Sequence, residues 1–109
     1  MKELKKYYVY ILRCNDLSLY VGITTDLKKR YNEHLEKRGA KYTKRGIKKL
    51  EIFFSCLGRS EASRVEYFLK GLKKEKKERL ILNFQELEEL IEEKLNIKIK
   101  KENIFKKIY

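Results

Sequence analysis

The sequence has no proline and no tryptophan, and its 109 residues include only one histidine and two cysteines. A structural zinc site made of several cysteines and histidines is therefore nearly excluded within one chain. The length, the lack of internal repeats and the lack of an interdomain linker predict a single domain. Cys14 and Cys56 are expected to be reduced, half-buried strand residues that do not form a disulfide.

Long apolar runs are also missing, and none approaches the about 20 residues that a membrane helix requires. The first six residues, MKELKK, lack the apolar stretch of a signal peptide. We therefore expect no membrane association and a cytoplasmic location. The content of 42% hydrophobic and 12% aromatic residues still predicts a folded chain.

Acidic residues are too few to balance the basic ones, and the net charge is +12. Residues 1–82 carry the whole excess, whereas residues 83–109 are neutral. This distribution suits binding to a phosphate backbone through counterion release. DNA, in branched or single-stranded form, is the expected partner, and RNA is the alternative. A third interpretation is that the lysines only keep the protein soluble.

Hydrophobic patterns predict strands at residues 6–14, 19–24 and 49–57, with the first two forming a hairpin. A first helix is predicted from a cap at Thr25 or Asp26 to about Lys37, and a second over 60–73 with a break at Gly71. A short charged helix that reaches Leu80 and a helix over 84–95 are predicted to follow. This order predicts an α+β fold with helices packed on the strands. Residues 97–109 are ambiguous. We expect a domain at 1–82 and a helical extension at 83–109 that packs on it or binds a protein partner.

Two tyrosines ten residues apart are the most informative feature of the strands. Tyr20 is followed two residues later by Gly22, whose small size would let a substrate or a backbone approach closely. Tyr10 lies on the preceding strand, and both phenols could instead be ordinary core residues. Arg30 and His34 are four residues apart and therefore share a helix face, where an arginine could bind a phosphate.

Glu66 interrupts the predicted apolar stripe of a later helix. Burying an unpaired carboxylate is costly, so this residue needs a partner or a metal ion. Mg²⁺ binds through one or two carboxylates and keeps several of its waters. An ion pair with Arg64 or Lys70, or exposure at the rim of the stripe, are the alternatives.

Two basic segments are candidates for nucleic-acid binding. Lys28 and Lys29 precede Arg30 on the first predicted helix. The second segment combines cations with an aromatic ring and a hydroxyl group, which suits phosphate contacts and stacking on an unpaired base. It comprises Lys41, Tyr42, Thr43, Lys44 and Arg45. Both segments could instead be solvated basic surface.

The order and spacing of these residues resemble the GIY-YIG nuclease family over about residues 6–80, and small stand-alone members most of all. The resemblance implies a three-stranded antiparallel sheet flanked by helices and one divalent metal ion, Mg²⁺ or Mn²⁺, held by Glu66. It places Tyr10, Tyr20 and Arg30 at the scissile phosphate, with Tyr20 as the route for deprotonating the attacking water. His34 matches a position where the family has histidine or tyrosine.

The sequence departs from the family pattern at two positions. Tyr8-Val9-Tyr10 stands where Gly-Ile-Tyr is expected, and Ile23 occupies a place where related incision nucleases carry a lysine. The leading hypothesis is a metal-dependent DNA endonuclease, structure-selective, in repair or recombination. The alternatives are a nucleic-acid-binding module of the same fold with little or no catalysis and a small protein-interaction domain.

Overall fold

The structure is a computed structural model that describes residues 4–36 and 46–102. Its strands are β1 (Lys6–Cys14), β2 (Leu19–Thr24), β3 (Ile47–Leu57) and β4 (Lys100–Lys101). Its helices are α1 (Leu27–Leu35), α2 (Arg59–Lys70), α3 (Lys74–Leu82) and α4 (Phe84–Leu95). The α+β class and the order of the first seven elements agree with the prediction.

The described strands form one antiparallel sheet in the order β2-β1-β3-β4, so β2 lies at a free edge. The prediction of three strands was wrong, because β4 pairs with β3 at Phe54 and Ser55. A polar contact accompanies this pairing, since Ser55 Oγ donates a hydrogen bond to Glu102 Oε2 at 2.8 Å. A strand of two residues is too short to produce a hydrophobic alternation that sequence analysis could detect.

The two faces of the sheet differ in composition because side chains alternate along each strand. We call one the apolar face; there Val9 and Ile11 pack with residues of α2, α3 and α4. We call the other the tyrosine face; there Tyr10 and Leu12 pack with Leu27 of α1. Helices α1 and α2 therefore cover opposite faces.

Helix boundaries follow from capping groups. Asp26 caps α1 by accepting a hydrogen bond from Lys29 N at 3.1 Å, and Asn83 caps α4 by accepting one from Glu86 N at 3.1 Å. Helix α1 ends at Leu35, before the predicted Lys37, and residue 37 lies outside the described residues. Leu35, the last residue of α1, is half exposed.

The two cysteines are more deeply buried than the sequence predicts, and residues of α4 join the core. Cys14 and Cys56 are free thiols, but they are fully buried, and burial raises the pKa of Cys56 to about 12. Leu87 and Ile91 of α4 pack into the core of the apolar face. None of the helices in the described segments has the length and apolar character needed to cross a lipid bilayer.

Candidate active site

Tyr10 lies in the middle of β1, directly opposite Gly22 on β2. A Cβ atom at Gly22 would lie 2.5 Å from Tyr10 Cζ and 2.9 Å from Tyr20 Cε2. Both rings therefore occupy the space above this glycine. Position 22 must lack a side chain because the two phenols converge there.

Tyr10, Tyr20 and His34 form an aromatic cluster. The ring centroids are 6.3 Å apart for Tyr10 and Tyr20, 5.7 Å for Tyr10 and His34, and 5.3 Å for Tyr20 and His34. The Tyr10 hydroxyl lies 2.9 Å from His34 Nε2, within hydrogen-bond distance. The sheet thus supplies the two phenols, and the last turn of α1 supplies the imidazole.

His34 is completely buried. Burial, together with the positive charge of Arg30, lowers the pKa of His34 to about 4. The imidazole is therefore neutral at pH 7, and its unprotonated nitrogen can accept a hydrogen bond from the Tyr10 hydroxyl.

Arg30 joins the cluster from one turn earlier on α1. Its Nη1 donates a hydrogen bond to Glu33 Oε1 at 3.1 Å, and its guanidinium interacts with Tyr10 and opposes the upward shift of that phenol's pKa. Burial lowers the pKa of Arg30, but the bonds to Tyr10 and Glu33 outweigh it, so the net shift is upward.

The two phenols differ in their surroundings. Tyr10 is only 1% exposed, and its burial raises its pKa well above the usual value, although the bond with Arg30 opposes that shift. Tyr20 is partly exposed on the edge strand. Solvent and substrate therefore reach Tyr20 more easily than Tyr10.

Glu66 lies on the rim of the α2 stripe, with its side chain 23% exposed. Its negative charge contributes to the raised pKa of Tyr10, after burial and the charge of Tyr20. Glu66 Oε2 lies 3.4 Å from Lys70 Nζ. This contact is one of the two ion pairs that the sequence analysis gave as alternatives to a metal ion. Arg64 instead donates to the Leu95 carbonyl at 3.1 Å.

The residues around Glu66 fit a hard divalent cation that is held by one carboxylate and keeps its waters. Within residues 4–36 and 46–102, no three His, Cys, Asp or Glu side chains gather into a protein-only metal cage. A single carboxylate near phenol oxygens suits Mg²⁺ or Mn²⁺ better than a metal that prefers sulfur or nitrogen ligands.

Two helices on opposite faces of the sheet thus contribute to one site at the free edge of the sheet. Arg30 and His34 come from α1 on the tyrosine face, whereas Glu66 comes from α2 on the apolar face. They meet around β2, since Lys70 of α2 lies above the Tyr20 ring. The predicted catalytic and metal-binding residues are therefore brought together.

The predicted nucleic-acid contacts are only partly described. Lys28 and Lys29 are exposed on α1. The segment of Lys41, Tyr42, Thr43, Lys44 and Arg45 lies outside the described residues.

Sequence reasoning did not assign a site role to Lys70 or Glu33. Spacing alone pairs Lys70 with Glu66 and Glu33 with Arg30, but helical spacing does not show that these pairs adjoin the phenols.

Comparison with known proteins identifies the class of this fold and site. The GIY-YIG catalytic domain matches residues 6–79, a span that contains all of these site residues. The chain therefore belongs to the GIY-YIG family, as the sequence pattern predicted. This family is associated with nuclease activity, and its nucleases generally use divalent metal ions.

Several small bacterial proteins are similar to this chain over most of its length. A UPF0213 protein of Fusobacterium nucleatum is 46% identical over 96 residues, which cover 87% of this chain and 96% of that protein. One from Clostridium perfringens is 43% identical, covering 83% and 98% respectively. The solution NMR structure of a UPF0213 protein from Bacillus halodurans has a sequence 44% identical to this chain and a TM-score of 0.47. The match covers 70% of this chain and 82% of the chain in the NMR structure. The predicted similarity to small stand-alone members is confirmed.

Proposed function

We propose that this protein is a divalent-metal-dependent endonuclease that hydrolyses phosphodiester bonds in DNA. The observation that carries the proposal is the convergence of two phenols, a guanidinium and a carboxylate at one sheet edge. We further propose that the substrate is branched or single-stranded DNA and that the enzyme serves repair or recombination.

Arg30 is the proposed binding group for the scissile phosphate. A guanidinium can hold two phosphate oxygens at once, and charge that builds up on the phosphoryl group strengthens this contact in the transition state. The bonds of Arg30 to Tyr10 and Glu33 hold its side chain at the site before substrate arrives. This preorganisation reduces the entropy lost on binding.

Tyr20 is the proposed route by which the attacking water loses its proton. It is the more accessible of the two phenols, and Arg30 and Lys70 both place positive charge near it. A phenol accepts a proton only as the phenolate, a form that nearby cations stabilise. Tyr10 and His34 are too buried for direct proton exchange with bulk water, so we assign them the positioning of Tyr20 and Arg30.

Glu66 is the proposed ligand of a single Mg²⁺ or Mn²⁺ ion. Such an ion supplies Lewis-acid stabilisation of the phosphoryl oxygens and of the leaving group. The role of the protein is to hold one carboxylate beside the phenols while solvent completes the coordination shell.

The positive surface is the proposed binding site for the DNA backbone. The net charge of +12 lies within residues 1–82, which we propose as the catalytic unit. Lys28, Lys29 and residues 41–45 are its proposed phosphate and base contacts, and RNA is an alternative ligand. Residues 83–109 add no net charge, and we propose them as a packed extension that could also contact a protein partner.

The decisive experiment incubates labelled single strands, duplexes, flaps, forks and four-way junctions with the protein, in Mg²⁺ and in chelator. Glu66→Ala is the test variant, and Glu75→Ala, which removes an exposed carboxylate of α3, is the matched control. We expect metal-dependent cleavage that falls at least about a thousandfold in Glu66→Ala, because the metal ion contributes several kcal/mol to the reaction. DNA binding by that variant should change little.

Two results would overturn the proposal in different ways. Full activity of Glu66→Ala would remove the metal assignment. A folded protein that binds these DNAs with strong salt dependence but cuts none of them would be a binding module of the same fold. RNA substrates would then be tested with the same variants.

A further inference from the structure

Lys70 contacts both principal groups of the proposed site. Its ammonium lies 3.4 Å from Glu66 Oε2 and 5.6 Å from the centroid of the Tyr20 ring. Glu66 precedes it by four residues, the order that favours an ion pair on a helix. The lysine therefore stands between the carboxylate proposed to bind metal and the phenol proposed to activate water.

A second lysine–glutamate pair, in α3, provides a comparison for the pair at Lys70. Lys74 and Glu78 also form a four-residue ion pair, at 2.7 Å, and the two lysine side chains are similarly exposed, at 50% and 53%. Glu78 also accepts two hydrogen bonds from the Arg13 guanidinium. The pair at Lys74 reinforces the packing of α3, whereas the pair at Lys70 faces the site.

Lys70 also supplies a charge that β2 lacks. Ile23 occupies the place where related incision nucleases carry a lysine, and in this protein it packs against the apolar core. Lys70 brings an ammonium to the neighbouring Tyr20 from α2. The site therefore has a cation on each side: Arg30 from α1 and Lys70 from α2.

We propose that Lys70 is a phosphate-binding residue whose ion pair with Glu66 is exchanged during catalysis. When a divalent cation occupies Glu66, the Lys70 ammonium leaves the carboxylate and contacts the phosphodiester beside Tyr20. The exchange is inexpensive, because half-exposed ion pairs contribute little to stability and a lysine stem is long and flexible. This inference rests on the proposed function of Glu66 and adds a second phosphate-binding cation to it.

The first measurement is Mn²⁺ affinity by isothermal titration calorimetry without DNA, using wild type, Lys70→Met, Lys74→Met and Glu66→Gln. Because Lys70 competes with the metal for Glu66, we expect Lys70→Met to bind Mn²⁺ about two- to fivefold more tightly. Lys74→Met should match wild type, and Glu66→Gln should lose the site. Equal or weaker Mn²⁺ binding by Lys70→Met would overturn the exchange.

The second measurement is single-turnover DNA cleavage at saturating Mg²⁺ with the same variants and Lys70→Arg. We expect Lys70→Met to be at least about tenfold slower, Lys70→Arg to recover most of the rate, and Lys74→Met to equal wild type. Lys70→Met that cleaves at the wild-type rate would overturn the phosphate contact. Absence of both Mn²⁺ binding and cleavage in wild type would instead overturn the proposed function itself, so the two failures are distinguishable.

Discussion

The two faces of the sheet are built from the same strands but contain different kinds of residue. The apolar face buries aliphatic and aromatic side chains from three helices, including Val65, Leu69 and Ile91. The tyrosine face also buries apolar residues such as Leu12 and Phe53, but it adds a histidine and the phenols of Tyr10 and Tyr31 beside a partly buried arginine, under helix α1.

The apolar face mainly stabilises the fold, whereas the tyrosine face supplies groups of the proposed site. Apolar burial contributes about 25 cal/mol per Å², whereas buried polar groups cost free energy unless each finds a partner. On the tyrosine face the partners are the site residues themselves, since Arg30, Tyr10 and His34 satisfy one another. Substitutions on the two faces should therefore affect different measurements.

Tyr20→Phe should have the largest effect, and it should affect catalysis alone. The variant keeps the ring and loses only the hydroxyl, so we expect DNA cleavage to fall about 10²- to 10⁴-fold. The free energy of unfolding should change by less than about 0.5 kcal/mol. Tyr67→Phe, on the exposed side of α2, is the control and should retain the wild-type rate. A normal rate in Tyr20→Phe would transfer the proton-transfer role to Tyr10, His34 or the metal alone.

Leu69→Ala should show the opposite behaviour. Leu69 is fully buried in the apolar face, so the cavity should lower the free energy of unfolding by about 2–5 kcal/mol in urea denaturation. The cleavage rate per folded molecule should remain close to wild type at temperatures well below the unfolding midpoint. A rate that falls in proportion to stability would contradict the separation of the two faces.

His34 should make stability depend on pH. Its folded pKa of about 4 lies below the usual 6.5, so the unfolded chain binds the proton more readily. Stability from this group is fully present above pH 6.5 and decreases as pH falls towards 4, by on the order of 3 kcal/mol at most. Urea denaturation from pH 7 to pH 4 should give a shallower slope for His34→Gln than for wild type. Identical slopes would show that another group dominates this range.

Gly22→Ala should change both the free energy of unfolding and the cleavage rate, each by a moderate amount. The added Cβ would overlap the Tyr10 ring, so the ring must move and its bond with His34 must weaken. We expect a loss of about 1–3 kcal/mol in unfolding free energy, together with slower cleavage. Gly71→Ala is the control, because its Cβ would lie 3.5 Å from the Phe68 carbonyl, an ordinary contact. That variant should be neutral or slightly stabilised.

The elements with strong local patterns were predictable. The strands at residues 6–14 and 19–24 and helix α4 at 84–95 agree with their predicted bounds, and Asp26 caps α1 as expected. Strand β4 was missed, because its pairing depends on long-range contacts such as the bond between Ser55 and Glu102. The full burial of Cys14 and Cys56 was missed, because it depends on the interior position of β1 and β3 in the sheet, which local patterns do not show.

The sequence by itself determined the chemical groups of the site and the local elements that carry them. The spacing of Tyr10, Tyr20, Arg30, His34 and Glu66 identified the family, and the charge of +12 predicted a polyanionic partner. Only the tertiary structure decided which of these groups touch. Two helices on opposite faces meet at the free edge of the sheet, and this places Lys70 beside Tyr20 and buries His34 against Tyr10. Local periodicity cannot encode such contacts, because they depend on how the elements pack and not on the pattern within any one element.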